Sequence, residues 1–349
     1  MSKPKVAIVV MAHNPYQYIS EFLVHHGNLV DSIYLIDHRS DKRLREIKID
    51  NLIHIESNQV AQFQSEVTNA VIRDYKIYEN HDWIFVLDVD EFLPFKSQGE
   101  LHQFFKKYKN AKSVAFNWLN GVGVYPTIDS ENLDDDRSLI DVAPLFISKK
   151  KNPNIKVCVN CNNLKYPFYF RTGAHEVVKP FRFLSLFLKK NYYKSIKNHI
   201  DSHFIHHIVS FDRESFYKKI KNYVYQMRLR QHVKGQGGWM VEGYLKNFED
   251  KDWLEVIQNF RVSDKEKLVN NVDESMFVKK DIFNHLKINK IMEIKRKIKI
   301  LNSKILKDSS AEEIVYIKSK RYDTDVMRNA RFFHVSKTGA GGEVEIKYI

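Results

Sequence analysis

Two cysteines in 349 residues leave no room for a disulfide framework, so the fold must rest on its core and suits a reducing compartment. Glycine (12) and proline (8) are scarce, which excludes collagenous, linker-rich and low-complexity architectures. No apolar run approaches the roughly 18–20 residues of a membrane-spanning helix. The opening segment reaches polar His13 and Asn14 too early for a signal peptide and offers no small-residue cleavage site. Acidic residues are the minority: 56 Lys+Arg face 43 Asp+Glu, a formal charge of +13. Hydrophobic (43%) and aromatic (13%) side chains are plentiful, too much so for a disordered chain. These features predict a basic, cytoplasmic protein with a sizeable core. Its charge leaves nucleic acid, an anionic membrane surface or a phosphorylated substrate as partners.

The N-terminal third alternates strand and helix signals. Lys5–Met11 is a continuous β-branched apolar run, the mark of a strand buried on both faces. Pro15 opens a helical stretch carrying Ile19, Phe22, Leu23 and His26. Ser32–Ile36, Leu52–Ile55 and Trp83–Leu87 read as further strands, with a helix over about Val60–Tyr78. Strands alternating with helices predict an α/β fold with a mixed, mainly parallel sheet flanked by helices. From Ser113 to about Lys179 the pattern is β-rich, with short runs at Val114–Trp118, Leu145–Ile147 and Lys156–Val159. After His206 it turns helical, through Phe216–Arg230, Trp253–Phe260 and the Lys-rich Leu286–Lys307. Arg331–Val335 and Val344–Tyr348, separated by turn residues, suggest a terminal hairpin. The expected organisation is a core over 1–220, divided near 112, and a mainly helical C-terminal extension over 221–349.

Asp88-Val89-Asp90 is the most informative motif. Residues i and i+2 of a strand face one way, so a D-x-D at a strand end presents two carboxylates to one point. Such a pair suits Mg²⁺ or Mn²⁺, which would also hold nucleotide phosphates. The competing reading is an acidic strand terminus that caps the next helix. Asp37, in the polar loop ending the second strand, suits hydrogen bonds to a ribose or base; the alternative is an Asx-type turn. Cys158-Val159-Asn160-Cys161 lacks the second ligand pair of a zinc site and reads as two unconnected thiols.

In order along the chain, these residues resemble a family-2-like glycosyltransferase with the GT-A fold. Asn14, Glu21–His26 and Asp31–Asp41 look like its opening strand, helix and Asp-x-x-Ser-Asp loop. Trp83–Leu93 resembles its metal-binding strand, and Phe116–Gly123 its Trp-x-x-x-Gly-x-Gly segment. Gly173–Glu176 resembles the turn with a later metal-site His, and His206–Lys218 a closing His-Tyr…Ser…Glu-Phe…Lys block. Pro15 and His207 depart from the family's usual Glu and Tyr. The resemblance implies sugar transfer from a nucleotide-sugar, a UDP-sugar first of all, to an acceptor hydroxyl with inversion. It implies donor contacts from Asn14, Asp37 and Asp88, and a metal held by Asp88, Asp90 and His175. A structural or surface role for His175 is the alternative. An inverting reaction needs a general base; Glu91, Glu176 and Asp212 are candidates, and Glu176 is favoured because it follows His175.

Two stretches carry the entire formal excess: Lys179–His199, with six Lys/Arg and no acid, and Leu286–Lys307, with eight Lys/Arg and one Glu. The first interleaves aromatics and suits an anionic membrane surface on the cytoplasmic side, where a glycan or lipid-linked acceptor would sit. Its alternative is a solvated helix with its aromatic side on the core. The second has Ile291, Ile294, Ile298, Leu301 and Ile305 at heptad spacing, fit for packing within the protein, for a membrane or for a homo-oligomer. Local charge and the absence of a recognisable module disfavour nucleic acid. The two rival functions are a nucleotidyltransferase and a non-catalytic basic scaffold or nucleic-acid-binding protein. Met11–Tyr18, which contains no Gly, Lys or Arg, counts against a triphosphate-binding loop.

Overall fold

The structure is a computed structural model. It describes residues 3–15, 18–38, 40, 44, 47–57, 64–122, 145–147, 155–180, 193–210, 217, 219, 277–279, 289–294, 333–338 and 343–348. The elements run β1 (Val6–Ala12), α1 (Ile19–Gly27), β2 (Ser32–His38), β3 (Leu52–Ser57), α2 (Gln64–Asp74), α3 (Ile77–Asn80), β4 (Trp83–Leu87), β5 (Glu91–Phe92) and α4 (Gln98–Lys107). There follow β6 (Ser113–Val122), β7 (Leu145–Ile147), β8 (Ile155–Asn160), β9 (Tyr169–Phe170), β10 (Val177–Pro180), β11 (Tyr193–Ser195) and β12 (His199–Ser210). The last are β13 (Phe277–Lys279), β14 (Phe333–Thr338) and β15 (Glu343–Tyr348).

Among the described residues, one mixed sheet has the order β13-β7-β6-β8-β4-β1-β2-β3-β15-β14, with β12 pairing β6 and β5. Its β4-β1-β2-β3-β15 section is parallel, whereas β8 and the strands beyond it add antiparallel pairs. The architecture is α/β. Strand β1 shows why its apolar run has no polar alternation. Val6, Ile8, Val10 and Ala12 enter one core with α1 and α4, while Ala7, Val9 and Met11 enter the opposite core with α2.

Three expectations change. The helix expected over Val60–Tyr78 is two, α2 and α3, separated at Lys76, whose φ of 50° interrupts helical geometry. The solvated helix that was the alternative reading of 179–199 is not seen at its described ends, where β10 and β11 pair antiparallel, with Pro180 opposite Tyr193. Residues 181–192 lie outside the described residues. Strand β12, which the sequence pattern did not announce, joins β6 in parallel with a register shift between Ile200 and Phe204. That bulge destroys the two-residue alternation by which strands are read. Asp201 fills it, accepting from Tyr108 Oη at 2.5 Å and His203 N at 2.7 Å.

Of the C-terminal stretch, 289–294 is helical and buries Ile291 and Ile294 in the α1–α4 core. β14 and β15 form an antiparallel hairpin that extends the sheet beyond β3. Trp253–Phe260 and the rest of Leu286–Lys307 lie outside the described residues. Among the described residues, no helix is long and apolar enough to cross a membrane.

Buried histidines brace the sheet edge. His25 Nε2 donates to Leu93 O (2.9 Å), while His26 donates from Nδ1 to Phe22 O (3.0 Å) and accepts the Leu93 amide at Nε2 (3.2 Å). Accepting at Nε2 holds the His26 ring neutral; burial depresses His26 well below the ordinary histidine value and brings His54 down to about 4. A depressed folded value means that the unfolded chain takes up protons first as the pH falls. Stability is therefore full above about pH 6.5 and is lost toward pH 4, with His54 alone contributing about 3 kcal/mol. Urea midpoints measured from pH 7.5 to 4.5 should fall steadily; a flat profile contradicts the neutral, buried histidines.

Candidate functional site

The strand order reverses at β1. The chain places β2 and β3 on one side of β1 and returns to place β4 on the other. At such a switch point the loops leaving the two central strands diverge, opening a crevice beyond their carboxyl ends. Parallel register pairs Val10 with Leu87, so the β1 loop, Ala12-His13-Asn14, and the acidic turn from Asp88 leave the same edge of the sheet from neighbouring strands.

The β1 and β2 loops are stitched together. His13 Nδ1 lies 2.7 Å from His38 O, and Asn14 N donates to Ser40 Oγ at 3.0 Å. Asn14 has φ 48°, a left-handed conformation that asparagine tolerates better than most residues. Asp37 accepts from Ser40 N (3.1 Å) and Leu44 N (3.3 Å), so both its oxygens already organise the loop. The bonds reach three and seven residues on, so Asp37 braces its own loop rather than closing the two-residue Asx-turn; burial pushes its carboxyl up despite these bonds.

The acidic turn is fastened from three sides. Ile208 N donates to Asp90 O at 2.8 Å, and β5 pairs His207 with Glu91 and His206 with Phe92. From α1, His25 and His26 clamp Leu93. Within the turn, Asp88 N donates to Glu91 Oε2 at 2.8 Å.

Two lysines meet these carboxylates. Lys156, on β8 and only 1% exposed, donates from Nζ to Asp88 Oδ2 (2.8 Å) and Glu91 Oε2 (2.9 Å). Gln64 Nε2 donates to Asp88 Oδ1 at 2.5 Å. Lys219 Nζ pairs with Asp90 Oδ2, and His207 Nε2 lies 3.6 Å from the same oxygen. Burial opposes ionisation of Asp88 and Asp90, but Lys156 outweighs it at the first, and Lys219 with His207 at the second, so both carboxyls sit below the usual range. Burial would neutralise Lys156, yet Asp88 and Glu91 more than compensate and keep it charged. Burial pushes Glu91 up, with Lys156 opposing.

His175 arrives through a strained turn. Gly173 (φ 70°) and Ala174 (φ 53°) are both left-handed, a costly conformation for alanine. The ring donates from Nδ1 to Ile155 O at 2.6 Å and stands edge-on to Trp118, 5.2 Å between centroids. Burial lowers its pKa, so the ring is neutral and Nε2 carries a lone pair. A Cβ at Gly173 would lie 2.5 Å from that Nε2. Gly173→Ala should therefore cost about 1–2 kcal/mol from the left-handed backbone and displace the imidazole. Chemical denaturation and a histidine-edited NMR spectrum would register both, whereas an unchanged His175 resonance contradicts the packing.

The donor types suit a divalent cation. Asp90 Oδ1 and Glu91 Oε1 are buried without a hydrogen-bond partner among the described residues. His175 shows the arrangement ligating histidines favour, its second nitrogen anchored on a backbone carbonyl. No preformed triad stands ready, however: among the described residues no group of three His, Cys, Asp or Glu is placed to hold a metal ion. The lysine contacts explain this, since Asp88 and Asp90 each face an ammonium.

Of the general-base candidates, Glu91 is wholly buried against Lys156, with no opening for an acceptor hydroxyl. This geometry is that of a brace. Glu176 is one-third exposed and pairs with Arg171 at 2.8 Å; Asp212 lies outside the described residues. Cys158 and Cys161 are buried, unlinked thiols whose pKa values burial pushes up, Cys161 to about 12. Sequence reading missed Gln64, Lys156, Trp118 and Lys219 as site residues; of these Trp118 alone lay within a motif singled out in the sequence, the Phe116–Gly123 segment. No protein-family model matches the chain, and no curated protein matches it.

Proposed function

We propose that this protein is a metal-dependent glycosyltransferase of GT-A architecture. It would move a sugar from a nucleotide-sugar, a UDP-sugar first of all, to an acceptor hydroxyl in surface polysaccharide or glycolipid synthesis. The observation that carries the reading is that the D-x-D turn and the stitched β1 and β2 loops leave the carboxyl ends of neighbouring parallel strands at the β1–β4 switch point, where open α/β sheets bind nucleotides. Asp88, Asp90 and His175 would hold Mn²⁺ or Mg²⁺, which when bound offsets the charge of the departing diphosphate. Lys156 keeps Asp88 ionised, and the Asp37–Ser40 turn shapes the floor for base and ribose.

In the inverting reaction a carboxylate takes the acceptor hydroxyl's proton as the oxygen bonds to the anomeric carbon. The bond from that carbon to the phosphate oxygen breaks, and the nucleoside diphosphate leaves with the electron pair. Glu176 and Asp212 remain the bases to test. Lys179–His199 and Leu286–Lys307 are proposed to dock on an anionic inner membrane face bearing a lipid-linked acceptor, with self-association through the second as a further role.

Thermal stabilisation by a panel of nucleotide-sugars with Mn²⁺ tests the reading. One UDP-sugar should raise the melting temperature and be hydrolysed slowly to UDP. Stabilisation by nucleoside triphosphates alone would favour the nucleotidyltransferase, and no nucleotide response would favour the scaffold.

A further inference from the structure

The two lysines of the acidic cluster are not equivalent. Lys156 is 1% exposed and spans two carboxylates, so it cannot leave without stranding both. Lys219 reaches Asp90 from the solvent side: its side chain is 42% exposed, against 7% for Asp90. Asp90 also presents a buried Oδ1, without a hydrogen-bond partner among the described residues, beside the oxygen that Lys219 covers. A buried carboxylate needs a positive neighbour, but it has no need of this particular one. An ammonium and a divalent cation on one carboxylate repel each other, so occupancy by one disfavours the other.

We propose that Lys219 is a displaceable counter-ion of the D-x-D turn. It neutralises Asp90 in the cation-free protein, gives up that carboxylate when a divalent cation binds, and transfers its ammonium to the diphosphate of the nucleotide. The inference rests on the donor-site reading above and adds to it a coupling between cation and nucleotide. Each ligand removes an obstacle to the other, because the diphosphate draws off the ammonium that competes with the cation.

The test is Mn²⁺ binding to the full chain, followed by the electron paramagnetic resonance signal of free Mn²⁺, with and without UDP. Wild-type protein should bind Mn²⁺ weakly alone and about tenfold or more tightly with UDP. In Lys219→Met the affinity for Mn²⁺ alone should rise by about fivefold or more, and the UDP effect should shrink below about threefold. Lys219→Arg, which keeps the charge, should retain the coupling. If wild type shows the coupling and Lys219→Met leaves both affinities unchanged, the counter-ion role is overturned while the donor site stands. If wild type binds neither Mn²⁺ nor UDP, the donor-site reading itself falls, and this inference with it.

Discussion

Lys156→Met should destabilise the protein by about 3–5 kcal/mol, the usual cost of stranding a buried charge. Methionine fills much of the same volume, so the loss would be electrostatic rather than a cavity. Without the ammonium, Glu91 is wholly buried without its charge partner, keeping the Asp88 amide, and among the described side chains Asp88 retains Gln64. Urea unfolding should show a lower midpoint at an unchanged slope, since the surface exposed on unfolding is the same. Adding Glu91→Gln to the methionine variant should recover a large part of the loss, because the amide needs no counter-charge. Two nearby groups of one network are expected to be non-additive in this direction. A loss below about 1 kcal/mol, the value of an exposed pair, would contradict the dry, clamped geometry.

Asp90→Asn should leave the fold intact and remove the proposed activity. The amide preserves shape, and Lys219, whose side chain is 42% exposed, can turn its ammonium to water when Asp90 is neutralised. The chemistry would lose the carboxylate that carries the cation, and a fall of at least about a hundredfold in kcat/KM is the scale for losing one preorganised electrostatic group. Measuring nucleotide release with and without acceptor, alongside the melting curve, separates this from unfolding. An Asp90→Asn enzyme with full, chelator-insensitive turnover removes Asp90 from the machinery.

These two aspects of one cluster were not equally legible. Trp83–Leu87 is a continuous apolar run that stops at Asp88, so the strand and its acidic end could be read locally, and β4 has those bounds. The two parallel neighbours of β1 were legible for the same reason. Lys156 was not: within Ile155–Asn160 a lone lysine resembles any outward-facing strand residue. It points inward because β8 lies antiparallel beside β4 and β6, with Lys156 opposite Phe116. For Asp37 it was the local role that the sequence made legible, and the backbone amides of Ser40 and Leu44 supply the partners.

Local chemistry thus determined where the apolar strands run, where the acidic turn begins and which residues could carry charge at a sheet edge. Tertiary structure decided which charges meet. Asp88 and Lys156 are 68 positions apart, Asp90 and Lys219 129. β12 enters the sheet across a bulge that hides its periodicity, and it carries His207 to Asp90. The C-terminal hairpin, read as part of an extension, adds to the edge of the N-terminal strands. Periodicity records only which face of an element is buried; its partner is set by packing and by the need of each buried charge for an opposite one.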